Sequence, residues 1–415
     1  MVAVIAACGV ALRALDLFTV ARHTVGIGDW WFYHWQANLI ADGRGFLDPF
    51  ALLNGQAVPS AGHPPLYPLA LAAISKAGLH STLAHRSLGL ALGAVNIVLI
   101  ALIARRVAGE RAGLVAAGVA AVYPIFIGAD ADLMSETLYG PLIAGTLLTS
   151  LVLADRPSAR WAALLGALLG LAALTRTEAL LFVPFLALPL AWRGSGAGRA
   201  RALRVGAMLG ALAVVLAPWM IRNATTFDKF VPISTNDGTV AAGANCRLTY
   251  HGIDLGGWNI RCISPRTESD ESVQAANWRH EGISYAEHHV GRLPVVAVVR
   301  VLRAWDFWQP RRQVQFAEGR QRRVEQAGVA MYYLLLPLAA FGFVLVRSGI
   351  RRWILAVPFI VVTITVATGY GVPRLRYAAE IPLVALAGIA LADLWQRVGA
   401  WRRARRDRAQ AAVTA

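Results

Sequence analysis

The sequence predicts an all-α polytopic membrane protein, and three observations carry that reading. The 415 residues are 57% hydrophobic and only 15% charged, with a mean hydropathy of +0.51. Apolar runs near the length of a membrane helix recur along the chain; about 20 residues at about 1.5 Å each cross a hydrocarbon core of roughly 30 Å. The formal charge of +16, from 40 Lys+Arg against 24 Asp+Glu, is almost all arginine and lies between those runs. Lys76 and Lys229 are the only lysines. The basic balance therefore reads as membrane topology. No basic-aromatic module or zinc-finger spacing is present, and no nucleic-acid partner is expected.

Taken in order, candidate spans lie around 1–20, 85–105, 112–129, 136–154, 205–222, 329–347, 353–369 and 377–396. The first lacks a positive n-region and a small-residue cleavage site and carries Arg13 and Asp16 within its apolar run, so it reads as an uncleaved helix. The stretch 161–192 is broken by Thr175-Arg176-Thr177-Glu178. It reads as two short helices meeting at one membrane face, which brings the total to about ten. Polar backbone at such depth persists only against a cavity or water. Residues 295–308 are interrupted by Arg300 and Arg303 and end in Trp305, Phe307 and Trp308, the composition of an interfacial helix.

Arginine placement orients the chain. Arg105, Arg106, Arg111, Arg156, Arg160, Arg193, Arg199, Arg201, Arg204, Arg347, Arg351 and Arg352 fall in alternate loops, and six more arginines fill the tail from Arg397 to Arg408. By the positive-inside rule these face the cytoplasm of a plasma membrane, as do both termini. The chain then divides into a membrane module, 1–222, with its first outer loop at 21–84, and an extracytoplasmic segment, 223–328. The last spans lie at 329–396 and a basic cytoplasmic tail at 397–415. Cys246 and Cys262 share the outer segment, where thiols are oxidised. Bridged, they close a loop worth about 3 kcal/mol; the alternative is two free thiols.

The first outer loop carries the chemistry. After Asp29, the residues Trp31, Phe32, Trp35 and Leu39 fall on one helical face, and Gly43 offers a C-terminal stop. Such a helix suits the membrane interface. Asp29 at its start is either a general base for a lipid-borne substrate or an N-cap. Further on, His63 precedes Pro64-Pro65-Leu66-Tyr67-Pro68, and the prolines hold it at the entry of a second short helix over 66–79, where it could donate to a phosphate. Asp130, Asp132 and Glu136 cluster on the same face, able to hold an acceptor, a sugar or a hard cation. Arg374 and Arg376 sit two apart on an outer loop, with Arg176 on the hairpin break. They suit a phosphate, or snorkel toward headgroups.

Together these motifs resemble the GT-C superfamily of integral membrane glycosyltransferases, in its protein O-mannosyltransferase and lipid A aminoarabinose transferase branch. The resemblance runs through Gly28-Asp29, the aromatic helix ending in Gly43-Arg44-Gly45, and His63-Pro64-Pro65-Leu66-Tyr67-Pro68. It continues through Ser135-Glu136, Leu174-Thr175-Arg176, Ala217-Pro218-Trp219, Ile221-Arg222-Asn223 and Pro232-Ile233-Ser234-Thr235-Asn236, and closes on Arg374-Leu375-Arg376-Tyr377. It implies an inverting enzyme that moves a hexose or pentose from a polyprenyl-phosphate donor to a cell-envelope acceptor at the outer face. Asp29 is then the base, with Tyr33, His63, Tyr67, Asp130, Asp132, Glu136, Arg176, Arg374 and Arg376 as substrate-binding residues. The chain departs from the family pattern at Trp30 and Phe32, where a second acid and an arginine are common, and at His63, where the aminoarabinose branch often has lysine.

A metal is unnecessary in principle for a monophosphate leaving group, and no His/Cys ligand cluster stands near, so no cofactor is expected. Polar breaks and intramembrane charges such as Arg13 and Asp16 also occur in secondary transporters, and acyl or phosphate transferases acting on lipid carriers are a further alternative. The gathering of polar groups on one face and in two large outer segments favours the glycosyltransferase. A reporter fused after Ala415 should read as cytoplasmic; an extracytoplasmic reading would overturn the orientation.

Overall fold

The computed structural model describes residues 1–193, 198–316 and 320–414, so that of the basic tail only Ala415 lies outside the described residues. Among the described residues every regular element is helical. In chain order the principal helices are α1 (Val2–Leu15), α2 (Asp29–Ala41), α3 (Leu66–Lys76), α4 (Thr82–Ala108), α5 (Glu110–Val122) and α6 (Pro124–Asp130). Then come α7 (Glu136–Asp155), α8 (Ala159–Ala173), α9 (Gly198–Thr226), α10 (Asn236–Ala244) and α11 (Glu271–His288). The last are α12 (Leu293–Ala304), α13 (Arg322–Leu345), α14 (Gly349–Thr368) and α15 (Tyr377–Thr414).

Seven helices among the described residues are long and apolar enough to cross a membrane, eight if the bent pair α5–α6 is one span. The chain is a multi-pass membrane protein of the expected all-α class, but the count of ten is not reached. The difference lies in 161–192. Its first half, α8, has 15 residues, about 22 Å of helix against a core of about 30 Å. Its second half, Thr177–Trp192, is likewise too short and opens on a 3₁₀ turn followed by a π turn at Val183–Ala187.

The core is built on α15. Every residue from Arg376 to Ala390 is buried, because α13 and α5 pack on it through small residues. A Cβ at Gly342 of α13 would lie 2.0 Å from the Leu386 carbonyl oxygen, and one at Gly388 would lie 2.6 Å from Ala116 Cα of α5. Such close approach is how apolar helices gain contact where lipid supplies no hydrophobic driving force.

Arg13 shows how the bundle accommodates charge. It is fully buried and donates from Nε to Asp130 Oδ2 at 2.6 Å. Its Nη1 and Nη2 reach the carbonyls of Ala121 and Ala120 at 3.0 and 3.3 Å. Ala120 would ordinarily receive the N–H four residues on, but that residue is Pro124, which has none. The missing donor bends α5–α6 by 58°, and the arginine takes its place. Asp130, expected to bind substrate, is therefore committed to this joint. On α12, Arg300 and Arg303 likewise donate to the Ala367 and Gly371 carbonyls at the C-terminal end of α14, where positive charge is favoured.

The 223–328 segment folds over the same end of the bundle as the 24–80 loop. Cys246 and Cys262 are joined by a disulfide with Cα atoms 6.1 Å apart. Breaking the Arg13 joint should be costly: Asp130→Ala leaves a buried cation uncompensated and should lower unfolding stability by about 3–5 kcal/mol. Thermal melts in detergent check this, and a melt like that of the wild type would contradict it.

Candidate active site

Asp29 opens α2 after Gly28, whose φ of +55° is a left-handed entry that a side chain would oppose. Gly28 is the N-cap residue, without a side-chain cap, and the Asp29 carboxylate turns outward. Its Oδ2 accepts from Arg374 Nη2 at 3.0 Å, and its Oδ1 lies 3.5 Å from His63 Nε2. The capping alternative is not what the structure shows. Nor is α2 a one-sided stripe: Phe32 and Leu39 are buried with Trp30, Tyr33 and His34, while Trp31 and Trp35 stack half-exposed at 5.0 Å.

His63 is fixed from several directions. Tyr33 Oη lies 3.3 Å from His63 Nδ1, and Phe32 packs edge-on against the imidazole at 4.6 Å. One ring nitrogen therefore faces the Asp29 carboxylate and the other the Tyr33 hydroxyl. The residues before it are held from the 223–328 segment, distant in sequence. Glu271 Oε1 accepts from the Ala61 N–H at 2.9 Å, and Ser234 Oγ donates to the Gly62 carbonyl at 2.9 Å. Tyr67 is buried against the Tyr33 ring at 5.0 Å.

Two further ion-paired groups border this centre. Glu136, at the start of α7, accepts from Arg176 Nη1 at 2.8 Å, and Arg176 Nε also reaches Glu178 at 2.5 Å. Asp132 Oδ2 lies 3.5 Å from Arg320 Nε, and Arg320 pairs with Glu325 at 3.3 Å. Arg320 and Arg374, with Asp132 and Met134, line one cavity of about 40 Å³. That holds a few waters but is too small for a sugar. Among the described residues no group of three His, Cys, Asp or Glu is disposed to hold a metal.

Asp29, Tyr33, His63 and Arg374 thus come together, with Tyr67, Asp132, Glu136 and Arg176 around them. Arg376 does not join them. It is buried under α15, paired with Glu380 at 2.5 Å and Asp306 at 2.5 Å, and lies 3.9 Å above the Tyr332 ring. The reason is local: Pro373–Arg376 is a 3₁₀ turn, and with about three residues per turn, positions two apart point to different sides. Arg320, Glu178 and Glu325 were not legible as site residues. Arg320 had one signal, its place beside Arg322 and Arg323 at the expected outer end of a span, where the positive-inside rule disfavours arginine.

Residues 62–221 match the family model described as dolichyl-phosphate-mannose-protein mannosyltransferase. That is less than half of the chain and includes His63, Glu136 and Arg176 but neither Asp29 nor Arg374. No curated protein matches the chain by sequence. Among solved structures, the apo oligosaccharyltransferase of Archaeoglobus fulgidus is similar over 98% of this chain and 51% of its own, at 16% identity and a TM-score of 0.57. The same organism's AglB, in complex with an inhibitory peptide and a dolichol-phosphate, covers the same shares at 15% identity and a TM-score of 0.58. ArnT from Cupriavidus metallidurans, bound to undecaprenyl phosphate, is similar over 93% of this chain and 77% of its own at 15% identity, with a TM-score of 0.43. The chain spans about half the length of the oligosaccharyltransferase it matches. The fold is of the GT-C type, and the resemblance seen in the motifs is borne out.

The site's carboxyls are tuned in opposite directions. Burial alone would raise Asp29, but His63 and Arg374 outweigh it and hold the carboxyl well below the usual range. For Asp132 burial wins over Arg320 and the Leu133 N–H, and the carboxyl is pushed up to about 7. An acid raised on folding stabilises the protein fully below its unfolded value near pH 4, and that contribution is lost as pH rises through about 7. Asp132→Asn should therefore flatten the fall of melting temperature with pH across this window relative to the wild type. Parallel curves for the two proteins would refute the shift.

Proposed function

We propose that this protein transfers a sugar from a lipid-phosphate-linked donor to an acceptor hydroxyl, with Asp29 as base and Arg374 as the principal phosphate ligand. The single observation that carries the reading is the shared position of Arg374, which binds Asp29 on one side and lines the Arg320 cavity on the other. The dolichol-phosphate complex of AglB and the mannosyltransferase family match support the donor class. In the step proposed, the acceptor oxygen attacks C1 of the sugar and gives its proton to Asp29. The C1–O bond to phosphate breaks with its electron pair, and the lipid phosphate leaves with the added negative charge. Attack opposite to departure inverts the anomeric centre. Arg374 and Arg320 meet the growing charge as preorganised donors, and His63 and Tyr33 orient the base. The active site faces the extracytoplasmic side in this reading, and the acceptor is a cell-envelope glycan, lipid or protein.

Paired with Arg374, Asp29 is ionised but weakly basic. A donor phosphate that draws the guanidinium toward itself loosens this pair and raises the basicity of Asp29 when the acceptor needs it. Substrate thus switches the base on.

Asp29→Asn keeps the shape but cannot accept a proton at neutral pH, so turnover of radiolabelled polyprenyl-phosphate sugar should fall on the order of 10²-fold or more with the fold and donor binding largely kept. Arg374→Ala should weaken donor binding as well as turnover. The acid limb of kcat, set by the donor complex, should lie at higher pH than that of kcat/KM, set by the free enzyme. Normal turnover in a folded Asp29→Asn variant would sink the assignment, and coincident acid limbs would sink the switching.

A further inference from the structure

The bundle end remote from Asp29 holds a second charged feature. α9 and α14 both begin there and run to the Asp29 end, where Asn223 of α9 donates to the Val231 carbonyl and Tyr370, just past α14, meets Arg374. Between their first turns and the end of the short helix Leu188–Trp192 lies an open cavity of about 660 Å³, within the roughly 300–1,000 Å³ typical of ligand sites.

Among the described residues its wall carries Arg193 and Arg201 and no carboxylate. The neighbouring arginines at this end have partners for their charge: Arg204 donates to the Ala191 and Arg193 carbonyls, and Arg106 and Arg351 both pair with Asp155, although the buried Nε of Arg106 also lacks a hydrogen-bond partner among the described residues. Arg193 and Arg201 make no ion pair among the described residues, and the buried Nε of Arg201 has no hydrogen-bond partner there. Two guanidiniums without a counter-charge make the cavity attractive to an anion, which their planar forks suit. Gly349 and Ile350, in the first turn of α14, add the positive end of that helix.

The remaining wall identifies the anion's carrier. Trp192 and Trp353 flank the two arginines and are 56% and 39% exposed. Trp353 lies near the start of the spanning helix α14 and Trp192 lies beside it, and exposed tryptophans at that position mark headgroup level. Basic pockets between spanning helices at that level suit lipid phosphates. We propose that this cavity binds the headgroup phosphate of an anionic phospholipid, with Arg193 and Arg201 on the phosphate and the two indoles on the glycerol and upper acyl region. The inference is independent of the transferase reading.

The test uses the full chain in neutral detergent, with thermal melts during titration by phosphatidylglycerol, phosphatidylcholine or inorganic phosphate. Phosphatidylglycerol should raise the melting temperature of the wild type well above the effect of phosphatidylcholine. Arg193→Gln/Arg201→Gln should need on the order of tenfold more phosphatidylglycerol for the same shift. Arg402→Gln/Arg403→Gln in the tail should respond as the wild type does. Should the first variant fail to fold, acyl-brominated phosphatidylglycerol decides the matter: it should quench the tryptophan fluorescence of the wild type more than that of Trp192→Phe/Trp353→Phe. Equal responses to the two lipids, an undiminished response in the Arg193→Gln/Arg201→Gln protein, or equal quenching would overturn the proposal. So would inorganic phosphate alone reproducing the shift, which would make the cavity a soluble-anion site.

Discussion

A guanidinium in an apolar bundle has to replace its lost water with carboxylates or carbonyls, and the helices of this protein are joined where that requirement is met. Arg376 is the pivotal case. Its bonds to Asp306, Glu380 and the Ala304 carbonyl tie the turn before α15 to the end of α12. That turn also carries Arg374. With Arg376 locked inward, the 3₁₀ geometry aims Arg374 the other way, at an aspartate 345 residues distant in the chain. The position of the proposed phosphate ligand is thus a consequence of a buried ion pair that touches no substrate.

The same constraint explains what the sequence reveals and what it hides. Span positions are legible because membrane length and apolarity are local properties, and they fail only at 161–192, where the length rule itself is marginal. Pairing is not local. In sequence Arg374 and Arg376 are equivalent, and so nearly are Asp130 and Asp132; which member reaches the site depends on turn geometry and on partners far away. Asp130 ends α6 facing Arg13, whereas Asp132 lies beyond the helix and faces Arg320. Arg320 could be suspected only as an exception to the charge rule. α2 misleads in another way, because an aromatic run buried on nearly all sides looks like an amphipathic one until its neighbours are known.

Within 223–328 the sequence offers one motif, Pro232-Ile233-Ser234-Thr235-Asn236, and it is there that the segment reaches the site. Glu271 from α11, and Ser234 just before α10, hold Ala61 and Gly62 immediately upstream of His63, and the Thr235 N–H donates to the Ala61 carbonyl at 3.0 Å. The prolines after His63 stiffen one side of the loop; this clamp fixes the other. Whatever displaces these residues therefore also moves the imidazole that faces Asp29, a route by which the 223–328 segment can influence the candidate site.

On the proposed mechanism, the low basicity of Asp29 is a property of the resting site rather than a defect. Every unit of depressed pKa withholds about 1.4 kcal/mol of proton affinity, so the resting carboxylate is poorly able to activate a stray water. An anionic donor competes for the same guanidinium that causes the depression. The charge that binds the leaving group is then also the charge whose release restores the base. A positively charged residue placed solely in the phosphate pocket would bind the donor without informing Asp29 of its arrival. The sharing of one arginine between the carboxylate and the cavity is what couples donor occupancy to proton transfer.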